Sequence, residues 1–341
     1  MIRWDLDLAG LEGACADGGP PTVAIECFAC GRPPAFEELL FDPNRDEPRL
    51  IVNLEHLTAE TWAEELHRMP SGTRSALVHK AIFMPGFAPS TGGLLIDSSY
   101  RETATRWKAA RGPTAGSERA ELRRDLALRA GLPVALDVAR RPWYLVFSYV
   151  RDYRSIVAGI ASDVARNAGN GRVEAPLVIV AAGPSAPCFL SAWRSAGKPF
   201  PVLELPFLPQ ETWDEFVLAA DFALIRGEES LARAALGGVP FLWHAYRQDD
   251  NYQLVKVRAL LERLRPHFAT DDFATYEALS LAFNDRLSDG PAATGGENIR
   301  PFLEALPDIG PGFERFSSEL VANGDLAAGL LSFIREFLIR R

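Results

Sequence analysis

The sequence is short of cysteine, histidine and basic charge, and each shortage removes a class of function. Four cysteines in 341 residues are too few for a disulfide scaffold. Cys27 and Cys30 form a C-x-x-C, the spacing of redox pairs and of half a zinc site. No second C-x-x-C and no histidine pair at ligand spacing accompanies it, so no metal is expected. Cys15, Cys27, Cys30 and Cys188 are therefore read as buried structural thiols, which behave as small hydrophobes. Lys and Arg number 36 against 45 Asp and Glu, a net charge of -9. An acidic surface argues against nucleic acid, whose phosphates need clustered Lys and Arg, but it leaves room for an acidic ligand in one locally basic pocket. The opening MIRWDLDLAG carries acids and lacks a secretory apolar run. The apolar GLLSFIREFLIRR at the other end is interrupted by charges and too short to span a bilayer. A cytoplasmic protein with no membrane partner is expected. No G-x-G-x-x-G follows a strand, which leaves dinucleotide binding with little support.

What is present is an alternation of short apolar runs with helical patterns. Strands are expected at TVAIECF (22–28), RLIVNLEHL (49–57) and AIFMPGF (81–87), the last ending in a Pro-Gly turn. A capped helix is expected from Thr58. Further strands are expected from Tyr144, from Pro176 to the Gly183 turn, from Phe200 to Leu205, from Asp221 to Ile225 and from Val239 to His244. Helices fall between them, at Ser155–Ala168, Cys188–Ala196, Glu211–Ala220 and Glu229–Leu236. Strands alternating with helices imply parallel sheets in a doubly wound α/β fold. The length suits two domains. Pro and charge at Arg140-Arg141-Pro142 mark a linker, giving an N-terminal domain over 1–141 and a C-terminal one over 142–325. The helix over 326–341 either crosses back to the N-terminal domain or lies as an ordinary surface helix.

In open α/β sheets, ligands bind at the carboxyl ends of strands, beside helix N-termini. Polar strand ends therefore matter. The segment Arg226-Gly227-Glu228-Glu229-Ser230 offers a forked cation, a glycine that admits close backbone approach, and a helix start whose N–H groups favour an anion such as diphosphate. An acid there can accept both hydroxyls of a ribose. The same two glutamates also fit as helix-dipole partners. Phe207 and Gln210 suit a nucleobase, one by stacking and one by matching a donor–acceptor edge; the plainer alternative, which the two residues alone favour, is a core Phe and a helix-capping Gln. Tyr149 can stack, donate a hydrogen bond or simply fill a sheet. His244 ends a strand, either as an acid–base group or as a satisfied structural residue.

At these residues the sequence resembles the bacterial elongation factor P arginine rhamnosyltransferases. The matching text is LPFLPQ (205–210), IRGEES (225–230), ARAALGGVPFLWHAYRQDDNYQLVKVRALLER (232–263), AIECFACGRP (24–33), LIVNLEHLTAETW (50–62) and FMPGFAPSTGGLL (83–95), in the family's order. The resemblance implies a GT-B-like fold of two Rossmann-like domains. It also implies inverting, metal-independent transfer of L-rhamnose from dTDP-β-L-rhamnose to an arginine of elongation factor P, with no cofactor. It assigns the base to Phe207 and Gln210, the donor-site aromatics to Phe147, Tyr149 and Trp213, and the donor loop to Arg226, Glu228, Glu229 and Ser230, with Glu229 standing where the family has Asp. The family opens with a strand and a D-N-F-G-D-I-G-type loop holding its essential acids, and MIRWDLDLAGLEGACADGG has no such loop. The implied N-terminal domain is thus incomplete, Asp5 and Asp7 are read as surface acids, and no catalytic residue is assigned. On that reading the chain binds nucleotide sugar and transfers poorly; the alternative is a non-catalytic binder of dTDP-sugar or of elongation factor P.

Overall fold

The computed structural model describes residues 9–10, 13, 15, 19–111, 116–132, 134–169, 175–285 and 298–339, so Asp5 and Asp7 lie outside the described residues. The chain forms two compact units, Met1–Ile96 with Asn323–Arg341, and Asp97–Ala322.

The first unit carries β1 (Val23–Cys27), α1 (Pro34–Leu40), β2 (Arg49–Leu54), α2 (Trp62–Leu66), β3 (Pro70–Ser71) and β4 (Val78–Phe83). The strand order is β1-β2-β4-β3. The first three are parallel, and β3 is antiparallel at the edge, where its proline costs no ladder hydrogen bond. Alternate side chains face opposite sides. Ala24, Ile51 and Val78 pack with Leu40 of α1 on one face. Helix α2 starts at Trp62, not Thr58, because the Thr58 hydroxyl instead accepts from the Glu60 N–H in a local turn. Cys27 and Cys30 are exposed and Cys15 and Cys188 only half-buried, which corrects the buried-thiol reading: Cys27 lies on the same open face of β1 as the exposed Ile25, and the chain then turns through Phe28 and Ala29, at φ 59° and 48°, to reach Cys30.

The second unit begins with α3 (Ser98–Ala109), α4 (Gly116–Arg129) and α5 (Leu136–Arg140). There follow β5 (Trp143–Val146), α6 (Arg154–Gly169), β6 (Leu177–Ala181), α7 (Ala186–Ser195), β7 (Val202–Leu205) and α8 (Gln210–Ala219). It continues through β8 (Phe222–Arg226), α9 (Glu228–Gly237), β9 (Phe241–His244), α10 (Tyr252–Leu264), α11 (Thr270–Asn284) and α12 (Arg300–Ala322). All five strands are parallel in the order β7-β6-β5-β8-β9. The order reverses between β5 and β8, the switch point of a doubly wound sheet, and the crevice there is the expected ligand position. Strands β5 and β6 are buried along their whole length, as a sheet covered on both faces requires.

The units divide at Ile96, not at the Pro142 linker read from the sequence. Residues 97–141 are tied into the second unit by ion pairs that sequence spacing does not show. Asp221 meets Arg119 at 2.8 Å and Arg123 at 2.6 Å, both from α4, and accepts the Trp143 N–H at 2.7 Å. Glu215 of α8 meets Arg106 at 2.9 Å and Arg129 at 2.8 Å. Arg140-Arg141-Pro142 is therefore a turn inside a folded unit.

The last helix, α13 (Leu326–Ile339), completes the first unit. Leu326, Leu330, Phe333, Ile334 and Phe337 form its apolar stripe and cover Leu50, Val52 and Phe83. Its start is fastened by Leu326 N–H to Leu94 C=O at 2.9 Å and by Ile96 N–H to Asp325 at 2.8 Å. Among the described residues no helix is long and apolar enough to cross a membrane.

Candidate functional site

A cavity of about 420 Å³ opens at the carboxyl ends of β5, β6 and β8, inside the second unit. Its wall includes Phe147 after β5, Ala182 and Gly183 after β6, Phe207 after β7, Gln210 and Trp213 on α8, and Arg226 through Ser230 where β8 passes into α9. Eight of the sequence-derived site residues, Phe147, Phe207, Gln210, Trp213, Arg226, Glu228, Glu229 and Ser230, thus line one space. Tyr149 is outside that lining and backs it instead.

Arg226 is the positive centre. Its guanidinium lies 4.5 Å from the Phe147 ring centre and 4.8 Å from that of Tyr149, an arrangement in which two ring faces hold the cation. Its Nε is buried and has no hydrogen-bond partner. Trp213 packs edge-on against Phe147 at 4.9 Å, and its indole N–H donates to the Ser230 hydroxyl at 3.2 Å. That leaves the Ser230 proton for another acceptor.

Gly227 sits at φ 74° and ψ 166°, and a Cβ there would meet nothing within 4 Å. Glycine is needed for the backbone angle, not for room. It launches α9 so that the first-turn N–H groups, which lack intrahelical acceptors, face the cavity end of the sheet. Of the acids in that turn, Glu229 is an i,i+4 partner of Arg233 at 2.9 Å, while Glu228 lines the cavity.

Phe207 is 86% exposed, which removes the core-Phe reading. Gln210 does not cap α8: Pro209 holds the cap position, and the Gln210 amide N–H donates to Asp214 at 2.7 Å. Asp214 is buried, and that burial pushes its carboxyl up to about 6 despite Arg233 at 3.2 Å.

His244 is not poised for acid–base work. Its Nδ1 accepts from the Ser148 hydroxyl at 2.7 Å and the Tyr149 N–H at 3.4 Å, which puts the ring proton on Nε2. Burial, helped by Arg151, Arg247 and Arg226, holds its pKa down at about 3. The imidazole is a neutral prop, with Tyr149 edge-on to it at 5.2 Å.

Sequence reasoning missed Asp214, Arg233 and the Ala182-Gly183 wall. The glycine turn after the LVIVA strand was the available signal for the wall. For Asp214 and Arg233 it was their i+4 spacing from Gln210 and Glu229. Among the described residues no group of His, Cys, Asp and Glu converges as a metal site.

A sequence profile of the family described as elongation factor P (EF-P) rhamnosyltransferase, EarP, matches residues 9–335. A protein-arginine rhamnosyltransferase of Pseudomonas putida is 32% identical over 325 residues, covering 94% of this chain and 79% of its own. One from Shewanella oneidensis is 27% identical over 329 residues, covering 93% and 78%. A solved structure concerned with EarP-mediated arginine glycosylation of translation elongation factor EF-P superposes with a TM-score of 0.54. That likeness, at 22% identity over 74% of this chain and 75% of the other, is one of fold, and the α/β class is that of GT-B glycosyltransferases. The profile spans all but the ends of the sequence, and with it the chain belongs to the EF-P rhamnosyltransferase family, whose members are protein-arginine glycosyltransferases.

Proposed function

We propose that the chain transfers L-rhamnose from dTDP-β-L-rhamnose to an arginine of elongation factor P, with inversion and without metal or other cofactor, in the cytoplasm. The observation that carries the donor half is Arg226, whose guanidinium is clamped between Phe147 and Tyr149 with a buried, unpartnered Nε beside the start of α9. A half-buried guanidinium at the cavity wall is matched by an anion, and diphosphate oxygens fit its fork. The first-turn N–H groups of α9 and the Ser230 hydroxyl add donors on the same side. Phe207, exposed at the cavity mouth, stacks on the thymine. Gln210 reads the base edge, and Glu228 accepts the ribose hydroxyl. Glu229 acts through Arg233 and not on the sugar nucleotide. The names of the family and of the relatives support arginine as the acceptor group and elongation factor P as its carrier.

Transfer to a guanidinium needs a proton acceptor, because arginine gives up its proton only above about 12. General-base assistance is typically worth ~10²–10⁴-fold. The neutral, buried His244 is no such base, and none is assigned among the residues of the donor cavity. Calorimetry with dTDP tests the donor site, and the mass of elongation factor P after incubation with dTDP-β-L-rhamnose tests the transfer. Absence of dTDP binding overturns the donor assignment. Binding with no mass gain leaves the chain as a nucleotide-sugar binder. Glu228→Ala with unchanged dTDP affinity would return Glu228 to a helix-dipole role.

A further inference from the structure

We infer that Asp214 is a positioning residue for base recognition: it fixes which end of the Gln210 amide faces the nucleotide cavity, and so sets which base the site accepts. The inference rests on the nucleotide-sugar reading above.

An amide is nearly symmetric in shape but not in chemistry. One end accepts two hydrogen bonds and the other donates two. Turned one way or the other, it reads different base edges. Gln210 is the first residue of α8 and is exposed, with no capping bond to hold it. Asp214 supplies the constraint from the same helix face, four residues on. A carboxylate only accepts, so the amino end of Gln210 must point at it, as the Nε2 to Oδ1 bond of 2.7 Å shows. The carbonyl and the second N–H remain for the ligand. Together they match a base edge that offers a ring N–H beside a carbonyl, as thymine does and neutral cytosine does not.

Asp214 is in turn held from the neighbouring helices. Arg233 of α9 lies 3.2 Å from its other oxygen and 2.9 Å from Glu229. Both distances are ion-pair contacts from the Arg233 Nε. Tyr100 of α3 supports that cation from below, its ring centre 4.4 Å from the guanidinium and its hydroxyl donating to the Arg233 carbonyl at 2.8 Å. A series Gln210–Asp214–Arg233–Glu229, with its two middle members buried, therefore runs from the base end of the cavity to the first turn of α9.

The charged and polar groups facing Asp214 are Arg233 and Glu229 from α9, Asp97 at the start of α3, and Gln210 from its own helix. Burial, Glu229 and Asp97 raise its carboxyl, Arg233 and Gln210 lower it, and the balance is about 6. Below that pH the protonated carboxyl has an O–H to give. It then bonds the Gln210 carbonyl as readily as it accepted the amino group, and the amide is free to turn.

The test is calorimetry on the full chain with dTDP and dCDP, from about pH 5.5 to about pH 8, a range in which cytosine stays neutral while Asp214 titrates. The ratio of the two affinities cancels the ionisation of the diphosphate, which both probes share. The wild type should prefer dTDP at the alkaline end and lose about 5–10-fold of that preference on acidification, the worth of one hydrogen bond. Asp214→Asn, whose own amide can present either end, should show the reduced preference at every pH. Gln210→Ala should have a flat, low ratio, and adding Asp214→Asn to it should change nothing further. Should Asp214→Asn not fold, the comparison of wild type with Gln210→Ala across pH decides alone. Equal losses from Asp214→Asn with and without Gln210 would overturn the inference and leave Asp214 a structural acid. So would a pH-independent wild-type ratio. Wild type that binds neither nucleotide overturns the donor reading, and this inference with it; wild type that binds dTDP while Asp214→Asn keeps full discrimination overturns this inference alone.

Discussion

Replacing Phe207 by alanine separates ligand binding from folding. The ring is 86% exposed, so its removal takes almost no apolar surface out of the protein interior. Surface changes of that kind stay within about 0.5 kcal/mol, and the unfolding midpoint should hardly move. If the ring stacks on the base, its loss costs ~1–3 kcal/mol of binding, or roughly 5- to 150-fold in the Kd for dTDP. Phe207→Trp, which keeps a stacking face, should retain most of the affinity. Calorimetry with dTDP and with inorganic pyrophosphate reads the two ends of the ligand apart. The alanine variant should lose dTDP affinity and keep whatever pyrophosphate affinity the wild type has. A dTDP affinity unchanged within about twofold would refute the stacking argument, since ~1 kcal/mol is its lower bound. An equal loss for both probes would show that Phe207 shapes the loop and not the base contact.

Other expectations follow from the same cavity. Arg226→Lys keeps the charge but loses the planar group that both rings clamp, and dTDP binding should weaken by roughly tenfold by calorimetry; unchanged binding removes Arg226 from the site. Gly227→Ala meets no steric neighbour, so its cost is the backbone angle alone, about 1–3 kcal/mol in denaturant unfolding; no loss would mean the positive φ is not required. His244 should show no imidazole titration by NMR between pH 8 and pH 5, because its pKa is held at about 3. The sign follows from that depressed value: the neutral ring favours the fold fully above the ordinary 6.5, and this contribution is lost as the pH falls below it. A midpoint near 6.5 would contradict the buried Ser148–His244 geometry.

The sequence made the second sheet legible because its strands are short runs of buried aliphatic residues, such as Leu177–Ala181 and Phe222–Arg226, each closed by a glycine or a polar end. Those polar ends also pointed at Phe207, Gln210 and Arg226, which the fold brings to one cavity. What stayed hidden depends on partners from different elements. Asp214 and Arg233 each read as an ordinary helix charge until α8 and α9 are laid side by side. The membership of residues 97–141 in the second unit rests on Arg119, Arg123 and Asp221 meeting across about a hundred residues of sequence, which no local pattern reports. Cys27 faces solvent on the open face of β1, beside Ile25, and Cys30 follows two left-handed residues, a conformation that neither Phe nor Ala signals.

The division of the chain also fixes an order of events during synthesis. The first unit joins residues before Asp97 to residues after Ala322, so the sheet face formed by Leu50, Val52 and Phe83 stays uncovered until α13 has left the ribosome. The whole of Asp97–Ala322 is translated in that interval and can fold as its own body. A chain stalled before Leu326 should resist protease across the second unit while its N-terminal strands are cut or held by a chaperone. Equal protection of both in the stalled chain would show that the sheet closes without its last helix.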